Sequence, residues 1–209
     1  MTLRLDHFIY GGRDLESMMA AFESLTGVRP GRGGRHPGLG THNALASLGS
    51  DVYFELLAVD PTQRDSLAGT MGGRIEALQA PHLFAYMLKG AALERQQEVL
   101  ARHGIGADLF DASRTTTDGR SLRWRLLVPH DNPLGDFVPK FIDWLDTAHP
   151  ATTSTLGCRF ESFELGHPEA ERLNALLGEL GTDWQAERSD RPWMRLRMQT
   201  PKGPVALVG

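Results

Sequence analysis

The sequence predicts an α+β protein built from repeated strand–helix–strand–strand–strand (βαβββ) modules. Three observations predict it. Three segments carry apolar residues at helical spacing and end in glycine. A strand-like run precedes each of them. Further strand-like runs follow each, in place of the strict strand–helix alternation of a doubly wound fold. No glycine-rich phosphate loop follows a strand, so a dinucleotide site is not expected.

The first unit opens with "LRLDHFIY". Its helix places Leu15, Met18, Met19, Phe22 and Leu25 on one face, with Asp14 to cap the start and Gly27 beyond the end. "NALASLG" and "DVYFELLAV" follow as strands, turning at Gly49 and Ser50. The second unit starts at "HLFAYML". Its helix covers about 91–103, with Leu93, Val99 and Leu100 inward and Gly104 behind. "GADLF", "LRWRLLV" and "KFIDWL" follow. The third starts at "CRFESFEL". Pro168 opens its helix, which runs through Leu173, Leu176, Leu177 and Leu180 to Gly181. "DWQAE", "WMRLRMQ" and "VALVG" complete it, with "PKG" turning the last pair. Gly27, Gly104 and Gly181 are 77 residues apart each time, and Phe22, Val99 and Leu176 keep the same interval. The expected organisation is a paired-module domain over 1–150, with module one at about 1–60 and module two at about 80–147. A third unit follows at 151–209.

Composition narrows the function classes. The 209 residues are 41% hydrophobic and 23% charged, with a formal net charge of −4. These are values of an ordinary globular domain, not of a basic nucleic-acid binder. The basic cluster Arg29 to Arg35 is interrupted by glycine and proline and suits a solvated loop. Cys158 is the only cysteine, so there is no internal disulfide and no thiolate zinc cluster. No apolar run approaches the roughly 20 residues of a membrane span. The N-terminus lacks a signal-peptide core. A cytoplasmic protein without a membrane or nucleic-acid partner is the expectation.

Side chains alternate faces along a strand. His7 therefore groups with Leu5 and Ile9, and Glu55 with Tyr53 and Leu57. A carboxylate in such apolar company needs a partner. His82 opens the first strand of the second unit, and Asp143 lies between Ile142 and Trp144. Two histidines and two carboxylates on matched strands form a nitrogen–oxygen set suited to zinc, nickel, manganese or iron. The plainer alternative pairs Glu55 with Arg125 or Arg4 and leaves each histidine an ordinary structural residue. The stretch "GGRHPGLGTHNAL" reads as irregular backbone leading into a strand. There, His36 would be a loop contact. His42, on the face of Ala44 and Ala46, would reach inward.

The runs "LDHFIYGGRDLESMMAAFESLTG", "GGRHPGLGTHNALASLGSDVYFELLAVDP" and "FVPKFIDWLDTAHP" resemble the glyoxalase-like branch of the vicinal oxygen chelate superfamily. That resemblance implies two βαβββ modules whose sheets curl around a cleft with helices outside. Metal ligands would come from the first and last strand of each module: His7, Glu55, His82 and Asp143. A rival alignment puts Arg125 at the fourth position. The implied activity is that of a divalent-metal-dependent lyase or isomerase. Its metal would hold vicinal oxygens of a small substrate and stabilise an enediolate, with Glu55 or Asp143 as general base. An iron-dependent ring-cleaving dioxygenase on His7, His82 and Glu55 is an alternative. So is a metal-free protein that binds a small molecule in the same cleft. In each case His36, His42, Asn43, Tyr53, Trp124 and Trp144 would contact the ligand. The third unit would be an addition that covers a sheet edge or face, or makes a homodimer interface.

Overall fold

The computed structural model describes residues 3–64, 67–115, 119 and 121–209. Strand β1 (Arg4–Gly12) leads into helix α1 (Leu15–Thr26), then β2 (Gly31–His36), β3 (Thr41–Ser47) and β4 (Tyr53–Val59). A short helix α2 (Met71–Glu76) connects to β5 (His82–Lys89), α3 (Leu93–Arg102), β6 (Gly106–Thr115), β7 (Ser121–His130) and β8 (Lys140–Asp143). The third unit is β9 (Arg159–His167), α4 (Ala170–Glu179), β10 (Ala186–Arg188), β11 (Trp193–Thr200) and β12 (Gly203–Val208). The α+β architecture of repeated βαβββ modules is thus present, with the extra C-terminal unit.

Local chemistry sets the repeat. The Asp14 carboxylate accepts from the Ser17 backbone N–H at 2.7 Å and caps α1. The three evenly spaced glycines all sit in the left-handed region, at φ 81, 72 and 76°. Each stops its helix where a side chain would be strained.

Eight strands form one sheet in the order β2-β3-β4-β1-β5-β8-β7-β6. In both modules the first strand runs parallel to the last, β1 beside β4 and β5 beside β8. The modules join where β1 and β5 pair antiparallel. The sheet curls until its two edge strands approach, and Arg114 of β6 donates to the Gly33 carbonyl of β2. On the convex side α1 packs over β4, with Phe22 stacked on Phe54 at 5.1 Å. The third unit keeps the element order but not the strand order: its sheet runs β10-β9-β11-β12. It covers the convex face of β1 and β5. There Phe8 meets Phe163 at 4.9 Å, and Tyr86 meets Phe163 at 4.9 Å and Trp184 at 6.1 Å. Phe8 and Tyr86 are fully buried. Each such side chain contributes about 1.5–3 kcal/mol when removed from water. The expected role of covering a sheet face is seen.

Three features differ from expectation: helix α2 is an element the sequence reading does not include, Leu25 of α1 is exposed, and β2 is a strand where a loop is expected. The glycine-rich run "GRGGRH" is not irregular backbone but β2, with a register shift between Arg32 and Gly34. Cys158 is buried. Among the described residues no helix is long and apolar enough to cross a membrane.

Candidate functional site

The concave face of the sheet encloses a cavity of about 650 Å³. Strand parity supplies its first wall. On β4, Tyr53, Glu55 and Leu57 point in, while Phe54, Leu56 and Ala58 join the convex core. On β1, His7 and Ile9 point in. Here a bulge intervenes: Leu5 pairs with Leu88 and His7 with Met87, so Asp6 is the extra residue. Leu5 stays in the convex core, and Asp6 is buried beside His7.

A chain of hydrogen bonds follows. His7 Nδ1 lies 2.6 Å from Asp6 Oδ1, and His7 Nε2 lies 3.4 Å from Glu55 Oε2. Asn43 Nδ2 donates to Glu55 Oε1 at 2.6 Å and to His36 Nε2 at 3.3 Å. His36 Nδ1 pairs with Thr41 Oγ1 at 2.9 Å. With Nε2 accepting, His36 is the neutral tautomer that donates through Nδ1. Tyr53 stacks on the His7 ring at 4.4 Å.

The electrostatics separate the two histidines. Burial alone would lower the His7 pKa, but hydrogen bonds from the ring to Asp6 and Glu55, and their charges, raise it to about 9. Burial works against Glu55 too. The His7 hydrogen bond and charge overcome it and hold the carboxyl at about 2. At His36 burial outweighs the nearby Glu55 charge and lowers the pKa to about 4. At neutral pH the wall therefore carries an imidazolium–carboxylate pair at His7 and Glu55 and a neutral imidazole at His36.

Gly33 makes room for the hub of this chain. A Cβ there would lie 2.1 Å from Asn43 Oδ1, which accepts from the Gly34 N–H at 3.0 Å. Gly33→Ala is expected to displace Asn43 and cost about 1–3 kcal/mol of stability. A melting temperature within 1 °C of wild type, roughly, would show that Asn43 turns aside freely.

The second wall, from module two, is different. Met87 holds the β5 position opposite His7, and Ile142 is the inward residue near the end of β8. Trp124 and Leu126 of β7 lie beside them, and Trp144 packs on Trp124 at 5.4 Å. Lys140, buried on β8, pairs with Asp136 at 3.0 Å.

Three residues expected at the site stand elsewhere. His82 is on the first strand of module two, but β5 runs antiparallel to β1, so His82 faces Gly11 at the far end. Its Nδ1 contacts the Ala80 carbonyl at 3.0 Å. Asp143 is on the last strand of that module but on its other face, where Oδ1 caps the Leu145 N–H at 3.0 Å. His42 does share a face with Ala44 and Ala46, but that face is the convex one; the inward residues of β3 are Thr41, Asn43 and Leu45. The rival Arg125 also faces outward and pairs with Glu94 of α3 at 2.6 Å. His7, His36, Asn43 and Glu55 come together on the first wall. Tyr53, Trp124 and Trp144 line the same cavity.

The glyoxalase-like domain family model matches residues 5–181. The chain belongs to the glyoxalase-like family. This is the branch of the vicinal oxygen chelate superfamily that its sequence resembles. No curated protein matches it in sequence. Among solved structures, a hypothetical protein from Staphylococcus aureus superposes with a TM-score of 0.69 at 17% identity, covering 92% of this chain and 88% of that one. Methylmalonyl-CoA epimerase in complex with methylmalonyl-CoA and ammonium gives 0.51 at 15% identity, covering 72% of this chain and all of that one. A Streptomyces coelicolor methylmalonyl-CoA epimerase variant with 2-nitronate-propionyl-CoA gives the same values. At these identities the likeness is one of fold.

The metal implied by that resemblance does not fit the residues present. His7 and Glu55 supply two donors, each already hydrogen-bonded. Met87 and Ile142 hold the corresponding inward positions of module two. Among the described residues no group of three or more His, Cys, Asp or Glu side chains is placed to hold a metal ion.

Sequence reasoning missed three site residues. Asp6 was hidden because alternation sends it outward unless the strand bulges. His149 Nε2 donates to Asp6 Oδ2 at 2.8 Å from 143 residues away. Arg114 lies near the end of β6, beyond the "GADLF" segment expected as strand. The one available signal was the acid–histidine pair in "LDHF".

Proposed function

We propose that this glyoxalase-like protein binds a small organic molecule without a metal ion, holding it between the polar network of module one and an apolar patch of module two. The observation that carries this reading is the asymmetry of the cavity. A buried network of His7, Glu55, Asn43 and His36 shares a space of drug-like size with Met87, Trp124, Leu126 and Ile142 of module two. A few convergent polar groups fix orientation, and the apolar patch supplies contact area.

The geometry favours a carbonyl-bearing ligand. The His7–Glu55 contact is long at 3.4 Å, so the cationic His7 N–H can turn to an incoming oxygen at little cost. A cation placed beside that oxygen stabilises negative charge developing on it. Enolate-forming isomerase or lyase chemistry is the reaction class this donor serves, with His7 in the electrophilic role.

The test is metal analysis of untagged protein, followed by thermal shift with zinc, nickel, manganese and iron. Substoichiometric metal and no shift are expected. Tryptophan fluorescence from Trp124 and Trp144 should instead respond to small aromatic carbonyl compounds. Stoichiometric metal that vanishes in a His7→Ala, Glu55→Ala double variant would overturn the proposal.

A further inference from the structure

Among the described residues, the cavity contains one cation that no carboxylate neutralises at close range. Arg114 is 7% exposed and lines the cavity near the end of β6. Its Nη1 donates to the Gly33 carbonyl, and among the described residues no carboxylate lies within ion-pair distance of it. The neighbouring cations are matched. Arg74 pairs with Asp136 at 2.6 Å, and Lys140 pairs with the same carboxylate at 3.0 Å. Glu55 acts on Arg114 through space, but its oxygens are taken up by Asn43 and His7.

A guanidinium offers five N–H donors in a fixed fork, and one backbone carbonyl satisfies one of them. Keeping such a charge buried and unmatched is costly, so an anion that enters the cavity removes that cost. The planar fork matches a carboxylate with two parallel hydrogen bonds. Strand register places a stacking surface next to it. Arg114 pairs with Leu122, and the next inward pair along is Ala112 with Trp124. Trp124 is itself buried, lines the cavity and packs on Trp144 at 5.4 Å.

We infer that the ligand is a small organic carboxylate: its carboxylate seats on Arg114, and its apolar or aromatic body lies on Trp124. This rests on the metal-free binding reading above and adds the charge of the ligand. It also gives Arg114 a task beyond joining β6 to β2.

The experiment compares acids with their neutral amides by tryptophan fluorescence and thermal shift. Phenylacetate and phenylpyruvate are set against phenylacetamide, on wild type, Arg114→Gln and Arg114→Lys. Wild type is expected to bind the acids at least 10-fold, roughly, more tightly than the amide. Arg114→Gln should lose about 10- to 100-fold for the acids and leave the amide unchanged, as removal of a charge-assisted hydrogen bond predicts. Arg114→Lys keeps the charge and loses the fork, so it should fall between them. If Arg114→Gln does not fold, Arg114→Lys decides: unaltered acid affinity in it overturns the inference. A folded Arg114→Gln that binds acids like wild type also overturns it and leaves Arg114 as a clasp alone. Wild type that binds acid and amide equally sinks the carboxylate assignment but keeps the cavity reading. Wild type that binds neither at millimolar concentration sinks both.

Discussion

Replacing Asp6 with alanine is expected to cost about 3–5 kcal/mol of stability, the range for breaking a buried charged network. For a chain of this size that lowers the melting temperature by roughly 6–20 °C. Asp6 is fully buried. Its Oδ1 faces His7 Nδ1 at 2.6 Å, and its Oδ2 accepts from Trp144 Nε1 at 3.0 Å and His149 Nε2 at 2.8 Å. Burial alone would raise this carboxyl. The hydrogen bonds from His149 and His7, with their charges, hold it well below the usual carboxylate range. Alanine strands three donors at once, that of the buried His7 and those of the half-buried Trp144 and His149, and the buried one carries the largest desolvation penalty. The variant has a second signature. His7 loses the stronger of its two carboxylate hydrogen bonds, so its pKa should fall from about 9 toward or below the ordinary histidine value. Denaturant unfolding and a histidine NMR titration measure the two effects. A loss under about 1 kcal/mol with an unmoved His7 would mean that Asp6 is not the anchor described here.

Asp6 also shows where sequence reasoning stops. The module plan was written in local chemistry: helix faces, three terminating glycines and strand alternation. Those signals act within a few residues, and they placed Glu55 and Tyr53 on a strand whose inward face parity could assign. His7 was placed inward by the same rule; Leu5, grouped with it by that rule, lies in the convex core, because the bulge at Asp6 reverses the phase between them. Parity also misjudged His42, since Ala44 and Ala46 are buried on the convex side rather than in the cavity. The second wall was harder still. Which residue of β5 faces His7 depends on the antiparallel register between modules, and that register is a long-range property. It selects Met87 and leaves His82 five positions away. On β8 the correct strand was named and the wrong face chosen, so Ile142 rather than Asp143 enters the cavity. A one-residue change of phase exchanges a ligand set for an apolar wall. The expected chemistry turned on that difference.

The pH profile of stability should therefore show two limbs of different origin, with the maximum near pH 6.5. His7 carries a raised pKa, so its contribution is complete below the unfolded value of 6.5 and is lost as pH rises through about 9. Across that window the unfolded chain releases a proton that the folded protein keeps. The slope approaches about 1.4 kcal/mol per pH unit, for a total on the order of 3 kcal/mol. On the acid side the signs reverse. His36 is held neutral with its pKa lowered to about 4, so its contribution is present above 6.5 and is lost as pH falls to 4. Glu55 adds a second acid loss, from its ordinary 4.5 down to about 2, as the His7–Glu55 pair is neutralised. Urea midpoints from pH 4 to 9.5 trace both limbs. His7→Gln isolates the first, because it keeps a donor toward Asp6 or Glu55 and removes the titration. The difference between wild type and His7→Gln should be flat below pH 6 and fall steadily from 6.5 to 9. A flat difference across the alkaline window would mean that His7 is neutral in the folded protein. The electrophilic role given to its N–H would then have no charge behind it.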